Sequence, residues 1–295
     1  MFKSFKELSN KMKSGSRTLI VSAAHDVSTL EAVFAAESEL NIKYILVGNR
    51  EMILSLSSSL GKSLNDDAVV DGTDDTDCAH LSVELIRKGM GNALMKGTLD
   101  TGTLMKAVLD RESGIRGSGT LSHLAIIETP GYHKLIGVTD GGMIAHPTLL
   151  QKADIARNAA AFFQSIGYER PKIAALCALE SVNPKIRETV EAAELQEMCR
   201  NGEIENCLME GPLSFDIAVS RESASIKGFS SEISGDTDIL LVPDITVGNV
   251  MVKALIYWAG AKMAGCILGA NVPIVLTSRG ASAEEKLLSI MLSTA

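Results

Sequence analysis

The sequence predicts a two-lobed α/β protein, layered α/β/α, with parallel or mixed sheets and a cleft between the lobes. Three observations predict it. Short aliphatic or β-branched runs alternate with stretches of helical spacing, once through the first 110 residues and again after residue 148. The alternation breaks only once, where two apolar runs meet through Pro130-Gly131 with no helix between them. No flexible linker, low-complexity tract or internal repeat separates the halves, so the lobes are expected to share strands or a rigid cleft. At 295 residues the chain is long enough for one large domain or two smaller ones.

The elements follow in order. The N-terminal segment, residues 1–15, is amphipathic and basic and reads as a first helix. Residues 17–23 and 42–47 are strands, each followed by a helical pattern, at 27–40 and 50–60. A short strand at 68–70 leads to a helix at 74–88 that opens with acidic residues, as a helix N-terminus favours. A strand at 93–95 precedes a helix at 103–109. Residues 121–128 and 135–139 are the adjacent strands, either an antiparallel pair or a crossing between domains. After Gly141-Gly142 come a helix at 149–166, a strand at 172–178 and a helix at 184–200 with Pro184 at its start. Strands are expected at 204–209, 238–242 and 274–277, and helices at 250–263 and 282–292. The reading assigns residues 1–140 plus 270–295 to domain I and 141–269 to domain II.

Bulk properties remove several function classes. A net charge of -8 leaves no evident footprint for a nucleic-acid backbone, though a local basic patch for a small anion is allowed. No run of about twenty uninterrupted apolar residues exists, so no membrane partner is expected, and residues 247–256 carry Asn249 and Lys253. The N-terminus lacks the apolar core of a signal peptide. The five cysteines form no CxxC pair and are expected as free, mostly buried thiols in a reducing cytoplasm. The five histidines show no metal-ligand spacing, so no metal is expected. Gly61-Lys62-Ser63 ends like a phosphate loop, but Leu56 stands where that loop needs glycine. Neither a dinucleotide GxGxxG nor a GxSxG serine elbow is present.

The informative segment is residues 238–282. An apolar strand runs into Pro243-Asp244, and Val247-Gly248-Asn249 opens a helix. A second strand ends at Thr277-Ser278-Arg279-Gly280 before another helix. Both polar clusters sit beyond the carboxyl ends of strands, where open α/β sheets bind ligands. A helix N-terminus beside glycine offers N–H groups to an anion, and Arg279 adds a planar cation suited to phosphate.

These residues resemble the phosphate acetyl/butyryltransferase family. The match comprises Pro243, Asp244, Gly248, Asn249 and Lys253, with Ser278-Arg279 after the last strand. Residues 94–109, Gly114–Arg116, Leu121–His123, Val138–Leu149 and Gly211–Ser220 resemble its butyryl branch. The resemblance is dense over the last two-thirds of the chain and mainly a matter of pattern over the first ninety residues. It implies a fold similar to that of isocitrate and isopropylmalate dehydrogenases. It implies reversible transfer of a butyryl or branched acyl group between coenzyme A and phosphate, by direct thiolate attack in a ternary complex. Coenzyme A and acyl-CoA would then be substrates, with no tightly bound cofactor, and a homodimer or higher homo-oligomer is expected.

Carried over by position, Ser278 would hydrogen-bond the reacting thiol or carbonyl oxygen and Arg279 would bind phosphate. Glu285 stands where the acetyl branch places an aspartate as the base. Arg116 would be a second phosphate ligand. Lys106 stands where arginine is typical, and Lys96 and Thr101 would line the same pocket. Structural readings stand beside these. Ser282 and Glu285 have the spacing of a capping box. Asp244 can cap the following helix, and Tyr257 and Trp258 read as packing residues. The apolar stretch 250–266 can serve a core or a subunit interface. Phosphate acetyltransferase is the main alternative. An NAD-dependent decarboxylating dehydrogenase of similar fold would need a metal site, for which Asp74, Asp75 and Asp77 are the nearest cluster. A non-catalytic coenzyme A or anion-binding protein is the third rival.

Overall fold

The computed structural model describes residues 1–11, 17–117, 119–277 and 281–295. Its residues gather into two compact units. One holds Lys6–Gly119 with Ala264–Ala295, and the other holds Met1–Phe5 with Thr120–Met263.

In the first unit the alternation of the sequence becomes a parallel sheet. Strands β1 (Thr18–Ser22), β2 (Lys43–Gly48), β3 (Val69–Asp71) and β4 (Ala93–Lys96) are joined by α2 (Val27–Leu40), α3 (Arg50–Ser59) and α4 (Asp75–Arg87). The order is β3-β2-β1-β4, followed by β11 (Ile274–Val275) and β10 (Lys262–Leu268). All neighbours are parallel except β10 and β11. β1 is buried almost throughout, as a strand covered on both faces must be. Leu19, Val21, Leu30, Leu46, Met95 and Ile290 meet in its core, each worth roughly 1.5–3 kcal/mol of burial. The helices start where short polar side chains cap them. Asp26 accepts from the Thr29 N–H at 2.9 Å, and Asp74 accepts from Thr76 and Asp77 at 2.8 and 2.9 Å. The aspartate run at 74–77 thus serves a helix start.

The second unit has the order β5-β6-β9-β7-β8. Here β5 is Ser122–Glu128, β6 Ile136–Thr139, β7 Lys172–Leu176, β8 Leu208–Leu213 and β9 Ile239–Leu241. β5 and β6 form an antiparallel pair, one of the two arrangements the sequence left open, and the remaining pairs are parallel. The sequence reading placed β5 and β6 in the first domain. They share a compact unit with β7–β9 instead, because β6 pairs with β9 and Ile127, Val138 and Leu240 share one core.

Several boundaries differ from expectation. The expected strand at 204–209 runs over Leu208–Leu213. The chain before it is a turn in which Asn206 takes a left-handed φ of 60°. The expected helix at 250–263 is α10, Ile245–Ala259, ended by the left-handed Gly260. Residues after it form β10, which the sequence reading missed, since its apolar run continues that of the helix without a polar break. Tyr257 and Trp258 do not pack: they are 81% and 90% exposed, because α10 turns Gly248 and Val252 inward. The cysteines are free thiols, with Cys78, Cys207 and Cys266 buried and Cys177 and Cys199 partly exposed. No helix among the described residues is long and apolar enough to cross a membrane.

A buried ion cluster ties the second unit together. Lys134, 2% exposed, donates to Asp236 Oδ1 at 2.9 Å and Asp238 Oδ1 at 2.6 Å. Lys172 reaches Asp236 Oδ2 at 2.6 Å, and His133 lies 3.1 Å from Oδ1. Asp238 also accepts from the Lys172 N–H at 2.8 Å. Burial raises the Asp236 pKa, but hydrogen bonds from Lys172 and Lys134 outweigh it and hold the carboxyl well below the usual range. Removing the central cation leaves the buried Asp238 with only the Lys172 N–H and takes one of two lysines from Asp236. Lys134→Met should therefore lower the unfolding free energy by about 3–5 kcal/mol in a denaturant titration. Unchanged stability would show that the cluster contributes nothing.

Candidate active site

In the first unit, five helices follow parallel strands in the chain. They are α2 after β1, α3 after β2, α4 after β3, α5 (Thr101–Leu109) after β4 and α11 (Ala283–Ser293) after β11. Their first-turn N–H groups make the carboxyl end of the sheet favourable to anions.

The loop after β4 is fixed by backbone contacts to the loop after β1. Gly97 N–H donates to Ser22 O at 2.8 Å, and Thr98 N–H to Ala23 O at 3.0 Å. A Cβ at Gly97 would stand 2.2 Å from the Ala23 carbonyl oxygen, so only glycine fits there. Lys96 Nζ donates to the carbonyls of Gly97 and Leu99, both at 3.0 Å. Thr98 Oγ1 lies 3.1 Å from His25 Nε2 in the loop after β1. Asp100 caps α5 by accepting from the Thr103 N–H at 3.1 Å. This cap makes Thr101 the first helical residue and puts exposed Lys106 in the last turn.

Arg116 is exposed and its backbone bridges Ala270. Gly117 N–H donates to Gly269 O at 3.0 Å and Asn271 N–H to Ile115 O at 2.8 Å. The Arg116 segment is therefore stitched to the turn between β10 and β11, upstream of residues 278–280. Ser278 and Arg279 lie outside the described residues.

Glu285 sits in the first turn of α11. Ser282 Oγ accepts from the Glu285 backbone N–H at 3.1 Å, so the serine half of the expected capping box is formed. At Thr148 and Gln151, which open α6 (Leu149–Ser165), both halves are present; at Ser282 the described bonds include the serine half alone. The Glu285 carboxyl is half-buried. Burial raises its pKa above the ordinary value, with Lys286 opposing. Lys286 Nζ hydrogen-bonds Ser28 Oγ, pinning α11 to the first turn of α2.

Asp244, Gly248 and Asn249 belong to the second unit. Asp244 caps α10, accepting from the Val247 N–H at 3.0 Å. Gly248 is needed for a close approach, since a Cβ there would lie 2.7 Å from Gly141 Cα. Asn249 Nδ2 donates to Gly141 O at 3.3 Å. The three residues thus seat α10 on the turn after β6. That turn is built around Asp140, which the sequence reading missed. Its buried carboxylate accepts from the N–H groups of His123 (3.2 Å), Gly142 (2.9 Å), Met143 (2.9 Å) and Ile144 (3.1 Å). The signal available was Asp followed by two glycines, a turn that needs an acceptor. Beside it, the buried His123 Nδ1 has no described partner, and burial lowers the ring's pKa while Asp140 opposes.

A family model described as "Phosphate acetyl/butaryl transferase" matches residues 72–294. The chain is 40% identical to the phosphate butyryltransferase of Clostridium acetobutylicum over 294 residues, covering 99% of this chain and 98% of that protein. The chain belongs to the phosphate acetyl/butyryltransferase family. Members of this family are phosphate acyltransferases that act on acyl-CoA and phosphate. The phosphate acetyltransferase of Thermotoga maritima is 39% identical over 277 residues, covering 94% of each chain. A branched-chain phosphotransacylase from Enterococcus faecalis superposes with a TM-score of 0.83 at 33% identity, covering 94% of this chain and 97% of that one. A 4-hydroxythreonine-4-phosphate dehydrogenase from Klebsiella pneumoniae shares the fold at TM-score 0.55 and 14% identity, covering 95% and 98%. The acyltransferase is thus built on a dehydrogenase-like α/β fold, as the resemblance implied.

In this phosphate acyltransferase the Gly97 contact is the tightest constraint described at the strand ends. Gly97→Ala should displace the loop carrying Lys96 and Thr101, lowering the melting temperature and cutting phosphate-dependent turnover by about tenfold or more. Wild-type turnover in a folded Gly97→Ala protein would show that this loop does not shape the site.

Proposed function

We propose that the chain is a phosphate butyryltransferase, catalysing butanoyl-CoA + phosphate = CoA + butanoyl phosphate, with branched short acyl groups also accepted. The observation that carries this reading is the end-to-end 40% identity to a phosphate butyryltransferase. The likeness to a branched-chain phosphotransacylase supports it. Acetyl transfer is the second reading, favoured by the 39% identity to a phosphate acetyltransferase. The acyl groups differ by two methylenes, each worth about 1–3 kcal/mol of discrimination in an apolar pocket.

The chemistry assigns a task to each candidate. The coenzyme A thiol must lose its proton, because the thiolate is the nucleophile. Glu285 takes that proton, its raised pKa making it a stronger base than an ordinary carboxylate. The thiolate attacks the carbonyl carbon of the acyl phosphate, and phosphate leaves as the tetrahedral intermediate collapses. Ser278 donates to the developing oxyanion or holds the thiol. Arg279 and Arg116 hold the phosphate, with Lys96, Thr101 and Lys106 lining its approach. Asp244, Gly248 and Asn249 hold the α10 N-terminus as a substrate-binding wall. The enzyme works as a homodimer or higher homo-oligomer.

The deciding experiment is thiol release from a panel of acyl-CoAs with phosphate, without added metal or nicotinamide. Butyryl- or isobutyryl-CoA should react fastest. Acetyl-CoA reacting fastest would move the chain to the acetyl reading, and no release from a folded protein would sink both.

Glu285→Gln tests the base. The cap bond uses the backbone N–H of residue 285, so the melting temperature should hold. Turnover should fall by roughly 10²–10⁴. In the wild type, the rate should rise as pH climbs through the Glu285 pKa, which lies above the ordinary carboxyl value. The variant should lack that limb. An unchanged profile would remove Glu285 from the mechanism.

A further inference from the structure

The second unit carries a hollow of about 360 Å³ that the acyl-transfer chemistry does not use. Arg170, Gln196, Cys199, Arg200, Cys207 and Glu232 are among its lining residues. It lies at the amino ends of β7 and β8, which start at Lys172 and Leu208. The ligand positions of an open α/β sheet lie at the opposite, carboxyl ends.

Two thiols meet there. Cys199 is in the last turn of α7 (Arg187–Arg200), and Cys207 directly precedes β8. Their sulfurs are 3.8 Å apart. The chain between them is held in place. Gly202 N–H donates to Cys199 O at 3.2 Å and Glu203 N–H to Met198 O at 2.8 Å, with Gly202 and Asn206 both left-handed. A side-chain rotation can close the gap to the about 2 Å of a sulfur–sulfur bond. The thiols differ in character. Cys199 is partly exposed, whereas Cys207 is buried. Burial and the neighbouring Cys199 push the Cys207 thiol up to about 12, with Arg170 opposing.

The cations are available for a ligand. Arg170 and Arg200 are both exposed, and Arg200 reaches Glu197 only at 3.9 Å. Glu210, also in the lining, is held by Gln196 Nε2 at 2.8 Å.

We propose that Cys199 and Cys207 form a reversible modification site that exchanges with an anionic low-molecular-weight disulfide, whose carboxylates or phosphates Arg170 and Arg200 hold. The Cys199 thiolate attacks one sulfur of the small disulfide. That sulfur–sulfur bond breaks, a mixed disulfide forms on Cys199, and the first small thiolate leaves and takes up a proton. The Cys207 thiol then gives its proton to water and attacks the Cys199 sulfur. The second small thiolate leaves and is protonated. Two protein thiols are oxidised and one small disulfide is reduced to two thiols, with no further reactant. The order follows from burial: exposed Cys199 meets the reagent, and Cys207 resolves. Carboxylate-bearing disulfides of the glutathione type and phosphate-bearing ones of the coenzyme A type share the anionic chemistry. Glu232 in the lining also suits the ammonium groups of the first.

The test uses the fully reduced, full-length protein with glutathione disulfide, coenzyme A disulfide or neutral hydroxyethyl disulfide. Intact mass and peptide mapping are read under non-reducing conditions. The expected result is loss of two hydrogens, with Cys199 and Cys207 peptides cross-linked, at least about tenfold faster with a charged disulfide than with the neutral one. The faster charged reagent names the source. Cys207→Ser should stop at one mixed disulfide on Cys199. A protein carrying both Arg170→Ala and Arg200→Ala should lose the charged-reagent advantage and keep the neutral rate, with folding verified by circular dichroism. No cross-link with any reagent, modification at Cys177 instead, or equal rates for charged and neutral disulfides would overturn the proposal.

Discussion

The contact between the loops after β1 and β4 is the constraint on which the candidate site depends. Gly97 lies against the Ala23 carbonyl with no room for a side chain, and two backbone hydrogen bonds hold it there. That contact sets where β4 ends and where Asp100 can cap α5. Lys96 and Thr101 follow from it, one folded over the loop and the other at the helix start. On the other side of β4, β11 runs parallel to it and carries the chain toward Ser278, Arg279 and α11. A one-residue change in this packing would move several candidate groups together.

The second unit relies on buried acceptors together with the Gly248 contact. Asp140 gathers four N–H groups into the turn after β6, and α10 seats its glycine on that turn. Asp236 and Asp238 gather Lys134 and Lys172 near the starts of β7 and β9. In each case a carboxylate replaces its lost hydration with several donors at once, which is how a buried charge becomes tolerable. The same residues that resemble a family motif, Gly248 and Asn249, are explained locally by packing. The proposed substrate role would be a second demand on positions already constrained.

At Glu285 a structural role and the proposed chemical one would fall on different groups. Its backbone N–H belongs to the Ser282 cap, while its carboxyl is half-buried and shifted toward a stronger base. Capping uses the backbone and proton transfer would use the side chain. The capping-box spacing therefore leaves the carboxyl available for chemistry.

Most of the secondary structure was legible in the sequence, because periods of 2 and 3.6 and the polar caps are local signals. Asp26 and Asp74 open helices within one residue of the expected starts, whereas the helices that Asp100 and Asp244 open begin two and five residues before theirs. β10 was not legible: its apolar run continues that of α10, and Gly260 alone marks the break. The exposure of Trp258 was equally hidden, since an apolar residue in an apolar helix reads as core until the facing surface is known. The alternation of apolar runs and helical stretches by itself determined the α/β class, and the ordered short motifs carried the resemblance to the acyltransferase family, because both are patterns among near neighbours. Only the tertiary structure decided that β5 and β6 join the second unit, that Asp140 organises the α10 seat, and that Cys199 meets Cys207. Those depend on which strands pair and which loops touch, and pairing between distant segments leaves no periodic trace in one chain.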